Sequence, residues 1–246
     1  MANRNIRIVI EYDGSRYQGY QRLKNSSNTI QGKIEAVLCK MTGEKIELIA
    51  SGRTDAGVHA KNQVCNFHTK CKKSVSNIME YMNGYLPEDI VVKEIKEVNE
   101  RFHSRYNVKD KTYLYRIWLG NYPPVFQRKY VYHVKDELNI DSMKDASKLF
   151  EGEHDFGGFC SRKVKKNTVR IINSITIKEV GNELQIYVKG NGFLYNMVRI
   201  MVGTLIDIGK DKLDKTAITE AINTKDRSKA GEKAPAHGLI LYEVNY

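Results

Sequence analysis

The order of strand-like and helix-like segments in the first hundred residues most restricts what this chain can fold into. Four runs are rich in β-branched residues or alternate between apolar and polar residues, and they are predicted as strands: residues 6–12, 46–50, 62–69 and 90–98. Two segments with apolar residues at helical spacing, residues 29–41 and about 74–83, are predicted as helices. A β-α-β-β-α-β order of this kind makes a sheet with its helices packed on one face.

The second half of the chain has a similar mixture of predicted strands and helices. Its predicted strands are residues 111–119, 170–178, 183–189 and 239–244, and its predicted helices are residues 141–150 and 193–208. We place a domain boundary near residues 100–108, which gives a first domain of residues 1–103 and a second of residues 104–246. No long linker separates them, so both halves are expected to belong to one α+β fold.

The charge of the chain favours an anionic partner. Among 246 residues, 40 Lys and Arg face 29 Asp and Glu, for a net charge of +11. Such an excess suits nucleic acid, because each neutralised phosphate releases condensed counterions. A generally basic, solvated surface would explain the charge equally well.

Several classes of protein lack support in the sequence. It holds no HExxH, GxSxG or GxGxxG motif, and its four cysteines form no CxxC pair. Neither a signal-peptide pattern nor an apolar run long enough to span a membrane occurs. A cytoplasmic protein with no metal, no cofactor and no membrane partner is therefore expected.

The loop GRTDAG at residues 52–57 follows a predicted strand and carries Arg53 and Asp55. A guanidinium two residues away favours the ionised carboxylate, which suits a nucleophile or base better than a proton donor. Taken alone, the motif is also ordinary turn chemistry, in which Asp55 caps a turn and Arg53 forms a surface ion pair.

Two further side chains have a structural and a functional interpretation. Arg199 lies among apolar residues of a predicted helix, where its guanidinium must reach water or pair with an acid such as Asp55. Tyr113 lies on a predicted strand, where it either packs in the core or stacks against an extruded base.

Basic residues are concentrated in three segments that could contact phosphates. They are Lys70, Lys72 and Lys73; Arg101, Arg105, Lys109 and Lys111; and Arg162, Lys163, Lys165, Lys166 and Arg170. Each could instead be a solvated face, but polar and aromatic residues interleave with them, which favours contact with RNA.

Ordered motifs along nearly the whole chain resemble the TruA family of tRNA pseudouridine synthases. They are EYDGSRYQGYQR, NTIQGKIEAVL, SGRTDAGVHA, FHSRY, KTYLYRI, GEHDF, FLYNMVRIMVG, KDRSKAG and APAHGLIL. The resemblance implies the pseudouridine synthase fold, with two α/β domains whose antiparallel sheets are flanked by helices and meet at a basic cleft. It further implies a homodimer that acts without cofactor or metal on uridines in the anticodon stem-loop of tRNA.

The resemblance also implies roles for individual residues. Asp55 matches the family's catalytic aspartate, Tyr113 the tyrosine that stacks on the flipped uracil, and Arg199 the arginine that pairs with the aspartate. RNA contacts are expected from Arg53, Lys73, Phe102, His103, Ser104, Arg105, Tyr106, Lys165, Lys166 and Arg170. Three positions depart from the family pattern: Tyr20, Asn196 and Ile240.

Two alternatives stay open at this point. A paralogue could modify another RNA, such as ribosomal RNA. A binding module could instead keep the fold without turnover, although a pure binder has no need of the Asp55 carboxylate.

Overall fold

The computed structural model describes residues 3–162 and 167–246. These residues divide into two compact units. The first contains the described residues up to Lys109 together with Ile240–Tyr246, and the second contains the described residues of Asp110–Leu239. The sequence-based boundary after residue 103 therefore differs from the structure at residues 104–109 and at the closing strand.

The first unit is built on one sheet. Its strands and helices, in chain order, are β1 (Arg4–Tyr12), α1 (Ile30–Thr42), β2 (Ile49–Ala50), β3 (His59–Thr69), α2 (Val75–Tyr85) and β4 (Ile90–Val98). Strand β1 lies between β3 and β4 and is antiparallel to both. Helices α1 and α2 contact each other, and α2 contacts β4. The core of this unit includes Ile6, Ile8, Ile10, Ile34, Leu38 and Phe67.

The second unit has its own sheet. Its elements are β5 (Asp110–Trp118), β6 (Tyr132–His133), α3 (Ile140–Ser147), β7 (Gly152–Asp155), β8 (Val169–Val180), β9 (Glu183–Gly190), α4 (Met197–Gly209) and α5 (Thr216–Thr224). Strands β5, β9, β8 and β7 follow one another in an antiparallel sheet, and the short β6 pairs with β5 in parallel. Edge-to-face rings of Phe150, Phe156 and Phe159 fill part of the core.

The chain ends in strand β10 (Leu239–Asn245), which returns to the first unit. Ile240 and Leu241 pair in parallel with His59 and Ala60 of β3. Farther along, Asn62 Nδ2 donates a hydrogen bond to Tyr242 O at 2.8 Å. Tyr246 Oη donates to Ser104 O at 2.7 Å, so the last residues also hold the segment after β4. These contacts explain why the closing strand and residues 104–109 belong to the first unit.

The α+β class predicted from the sequence is confirmed. Most strand pairs are antiparallel, as expected, but β10 with β3 and β6 with β5 are parallel. The strand predicted at residues 46–50 is shorter in the structure, because Leu48 N donates to the buried Glu35 carboxylate at 2.9 Å instead of to another strand. No helix among residues 3–162 and 167–246 has the length and apolar character to cross a membrane.

Helix α5 (Thr216–Thr224) was not predicted from the sequence, and the helix predicted at residues 193–208 has a different start. Helix α4 begins only at Met197, because Asn196 has a left-handed backbone with a φ of 61°. The apolar pattern runs through this turn without a break, so it gives no sign of where the helix starts.

Candidate active site

The Asp55 loop connects β2 to β3, and buried polar contacts hold its beginning. Ser51 N donates a hydrogen bond to Val64 O at 2.8 Å. The fully buried Gln63 donates through Nε2 to Gly52 O at 2.9 Å and accepts from Ser51 Oγ at 2.5 Å. Because the Gln63 amide bonds to both residues, the chain leaves the sheet in one fixed direction.

Close backbone approaches hold the other side of this loop. Tyr20 N donates to Thr54 O at 3.0 Å, and the Tyr12 hydroxyl lies 2.8 Å from Thr54 Oγ1. A Cβ atom on Gly14 would lie 2.0 Å from Val58 O, so only glycine fits at that position. The polar stretch after β1 thus packs directly against the loop.

The three central side chains of the loop differ in their exposure to solvent. Thr54 is buried, Asp55 is half-buried and Arg53 is exposed. Val58 N donates to Asp55 O at 3.1 Å, and Gly57 adopts a φ of 78° that favours glycine. A carboxylate on such a constrained turn can be held at one position beside a substrate, which suits a nucleophile or a base.

In the second unit, Tyr113 lies on β5 opposite Val188 of β9. Its side chain is 8 % exposed, and its ring meets Phe193 edge to face at a centroid distance of 5.1 Å. The segment that leads into α4 thus contacts Tyr113. Both interpretations of this tyrosine agree with these facts, because a largely buried ring can still offer one face to an incoming base.

Arg199 lies in the first turn of α4, and two hydrogen bonds help to orient its guanidinium. Nε donates to Ala234 O at 2.8 Å, and Nη1 donates to Asn196 Oδ1 at 3.0 Å. In addition, Ala234 N donates to Arg199 O at 3.0 Å. The guanidinium is therefore held from two directions by groups that lie 3 and 35 residues away in the sequence.

The segment that includes Ala234 packs tightly against α4. A Cβ atom on Gly203 would lie 1.7 Å from Glu232 O. Gly231 N donates to Thr204 Oγ1 at 2.9 Å, and the Tyr115 hydroxyl donates to Pro235 O at 2.8 Å. Burial raises the pKa of Tyr115, which keeps that hydroxyl protonated as a donor. Burial also lowers the pKa of the nearby His237.

The segment FHSRY, residues 102–106, contains both exposed and buried side chains. Tyr106 is 76 % exposed and stacks on the His103 ring at 4.2 Å, and Arg105 is exposed as well. Phe102 instead packs against Tyr246 at 5.2 Å. Ser104 is 0 % exposed, so a direct contact between its side chain and RNA, as expected from the sequence, is not available in this structure.

The remaining residues expected to contact RNA have varied surroundings. Lys73 and Arg53 are exposed. Arg170 is half-buried, and its Nη1 donates to the carbonyls of Asn167 and Val169 at 3.1 and 2.6 Å. Lys165 and Lys166 lie outside the described residues.

Sequence reasoning did not assign a function to two residues that hold Arg199. The carbonyl of Ala234 carries no side-chain signal, so no motif could reveal it. Asn196 was visible only as a departure from the family pattern, and its left-handed backbone is a property of the tertiary structure.

Comparison with known proteins identifies relatives of this chain. A family model described as tRNA pseudouridine synthase matches residues 8–107 and 146–246. A protein of Bacillus sp. (strain KSM-64) named tRNA pseudouridine synthase A is 53% identical over 98% of this chain and 99% of its own length. A protein of Clostridium tetani named tRNA pseudouridine synthase A 1 is 50% identical over 99% of this chain and 100% of its own length.

Pseudouridine synthases are isomerases, and the matches extend over both units. The chain belongs to the tRNA pseudouridine synthase family. The family expected from the sequence motifs is thereby confirmed.

Proposed function

We propose that this protein converts uridine to pseudouridine in the anticodon stem-loop of tRNA, with Asp55 as its catalytic carboxylate. The identity of about half of all residues with relatives named tRNA pseudouridine synthase A supports the reaction and the class of RNA. The half-buried carboxylate on a loop fixed from two sides supports the choice of Asp55.

The reaction is an isomerisation that needs no external oxidant or reductant. The bond between uracil N1 and ribose C1′ breaks, the base turns, and a bond forms between uracil C5 and C1′. The proton on C5 leaves and N1 gains one, so the atoms balance. A carboxylate assists either by attack on C1′ or by removal of the proton on C2′, and the loop geometry suits both routes.

Tyr113 and Arg199 complete the proposed catalytic set. A uridine in a stem must leave the helix to react, at a cost of a few kcal/mol in lost pairing and stacking. Stacking on the Tyr113 ring offsets part of that cost. The guanidinium of Arg199, oriented by Ala234 O and Asn196 Oδ1, supplies a fixed positive charge for a carboxylate or phosphate. The expected pairing of Arg199 with Asp55 stays a prediction.

The proposed RNA-binding surface of the first unit uses exposed side chains. Arg53, Lys73 and Arg105 carry the positive charge, and Tyr106 on His103 provides an aromatic face. Contacts from Lys165, Lys166 and Arg170 are proposed from the sequence alone. Basic and aromatic side chains of this kind recognise the charge of the RNA backbone and its shape more than the base edges. Such recognition suits a substrate class with several neighbouring target positions. The homodimer and the cytoplasmic location stay predictions.

Release of tritium from RNA labelled at uracil C5 tests this function. Purified protein is incubated with unmodified tRNA transcripts, alongside an Asp55→Asn variant and a Glu88→Gln control at an exposed position. We expect release from the anticodon arm by the wild type and the control. Loss of one essential group should lower the Asp55→Asn rate by at least about a thousandfold while tRNA binding persists.

Other outcomes would contradict parts of the proposal. Release from ribosomal RNA but not from tRNA would favour the paralogue. Binding without release from any RNA would favour a non-catalytic module. Substantial activity of Asp55→Asn would remove Asp55 from its proposed role.

A further inference from the structure

The residue that precedes helix α4 uses its side chain in an unusual way. An asparagine at a helix N-cap normally has an extended backbone and accepts a hydrogen bond from the first turn of the helix. Asn196 has instead a left-handed backbone with φ 61° and ψ 7°, and its side chain makes no capping hydrogen bond. The amide group is therefore used for something other than stabilising the helix end.

The Asn196 amide lies between Ser161 and Arg199. Oδ1 accepts from Arg199 Nη1 at 3.0 Å, and Nδ2 donates to Ser161 Oγ at 2.5 Å. This assignment of the oxygen and nitrogen atoms follows from chemistry, because a guanidinium only donates and must face the amide oxygen. The Asn196 side chain is 7 % exposed, so little water competes for these contacts.

Further contacts fix the backbone beside this amide. Ser161 N donates to Tyr195 O at 3.4 Å, and the Arg162 guanidinium lies 3.6 Å from the centre of the Tyr195 ring. Ile200 N donates to Asn196 O at 3.0 Å, which joins the turn to α4. The uncommon backbone conformation is thus held by its surroundings on both sides, a pattern found where local strain serves a functional site.

We propose that Asn196 is a positioning residue, which orients the Arg199 guanidinium for the reaction without itself contacting the RNA. The inference rests on the proposed function of Arg199. Ala234 O holds Nε and Asn196 Oδ1 holds Nη1, so the two acceptors fix the plane of the guanidinium. Without the amide, the guanidinium loses one of these two restraints on its orientation.

Asn196→Gly is the sharpest variant, because glycine takes a positive φ without strain and lacks only the amide. We expect a kcat for pseudouridine formation about tenfold lower or more, from loss of a hydrogen bond to a charged group. The KM for tRNA should change less than about twofold. Relief of the positive φ offsets part of the stability lost with the two hydrogen bonds of the amide, so the melting temperature should fall by only a few degrees. Asp211→Gly is the matched control, since Asp211 has a φ of 55° just after the same helix.

A double-mutant cycle separates positioning from a merely structural role. If Asn196 acts through Arg199, adding Asn196→Gly to Arg199→Ala should lower the rate no further. An equal loss in both backgrounds would overturn the proposal, as would an Asn196→Gly rate within about twofold of the wild type.

NMR of the arginine Nε–H groups gives a readout that does not depend on activity. The Arg199 signal is assigned by its absence in Arg199→Ala, and its exchange with water is compared in wild type and Asn196→Gly. We expect faster exchange in the variant, because the guanidinium is less restrained. Unchanged exchange would overturn the inference even if the wild type proves active on tRNA. Faster exchange in an enzyme without activity would contradict the proposed function alone.

Discussion

Different kinds of contact surround the loop that carries Asp55 and the turn that carries Arg199. Around Asp55, most contacts join backbone groups or approach glycines: Tyr20 N to Thr54 O, Gly14 against Val58, and Gln63 to Gly52 O. Arg199 is held directly at its guanidinium, by Ala234 O and Asn196 Oδ1.

This difference follows from the two side chains. An aspartate is short, so fixing its backbone fixes its carboxylate to within one or two rotatable bonds. An arginine places its charge at the end of a long, flexible chain, and a fixed helix backbone does not determine where the guanidinium lies. The carboxylate therefore needs a rigid loop, whereas the guanidinium needs acceptors at its far end.

The largest loss of stability and activity is expected from Gly203→Ala, which disturbs the packing of the segment that holds Arg199. The new Cβ would lie 1.7 Å from Glu232 O, so the segment holding Ala234 must move away from α4. We expect a loss of about 3 kcal/mol in the free energy of unfolding, as for other overpacked interiors, together with loss of activity. Urea unfolding and tritium release would measure both.

Gly84→Ala in α2 is the matched control for that variant. No atom lies within 4 Å of the Cβ position at Gly84, so alanine should instead stabilise the helix by about 0.5–1 kcal/mol. Equal stability changes in the two variants would show that the contact between α4 and residues 231–235 is not tight.

A smaller effect is expected when the support of the Asp55 loop is removed by Gln63→Leu. Leucine has a similar size but can neither donate to the half-buried Gly52 O nor accept from the buried Ser51 Oγ. Loss of these hydrogen bonds costs about 2 kcal/mol. Thermal unfolding should show this loss, and tritium release should fall because the start of the loop is no longer fixed. Full activity at reduced stability would mean that the outer contacts suffice to hold Asp55.

The smallest loss of stability and activity is expected from Gly57→Ala. Alanine at a φ of 78° costs about 1 kcal/mol, and Gly57→Asn should recover part of the loss because asparagine tolerates this conformation. Gly43, at a φ of 70° after α1, gives a matched comparison. Both alanine variants should lose similar stability in urea unfolding, but only Gly57→Ala should slow tritium release. A similar loss of activity in both would show that general stability, rather than the turn, controls Asp55.

Much of the fold could be predicted because its signals are local. Alternation and helical spacing identified strand β1 and helices α1 and α2 to within a few residues, and the motif at residues 52–57 pointed to the loop that carries Asp55. The ends of elements were harder to predict where a side chain takes over a backbone hydrogen bond. At Leu48, the Glu35 carboxylate accepts the N–H that a strand partner would otherwise receive.

The expected RNA contacts could likewise be predicted only in part from the sequence. RNA contacts are expected from all of residues 102–106, yet Ser104 faces the interior while Arg105 and Tyr106 face water. Sequence spacing in an irregular segment does not say which side chains point outward. The backbone contacts of Ser104 to Asn66 and Tyr246 decide it here.

By itself, the sequence determined the family, the α+β class and the residues proposed for catalysis, since these depend on short motifs and on local periodicity. Only the tertiary structure decided three further features. They are the parallel pairing of β10 with β3, the start of α4 at Met197, and the acceptors that orient Arg199. Each depends on groups far apart in the chain, such as Ser161 with Asn196 or Arg199 with Ala234. Packing brings such groups together, and no pattern of neighbouring residues encodes their distance.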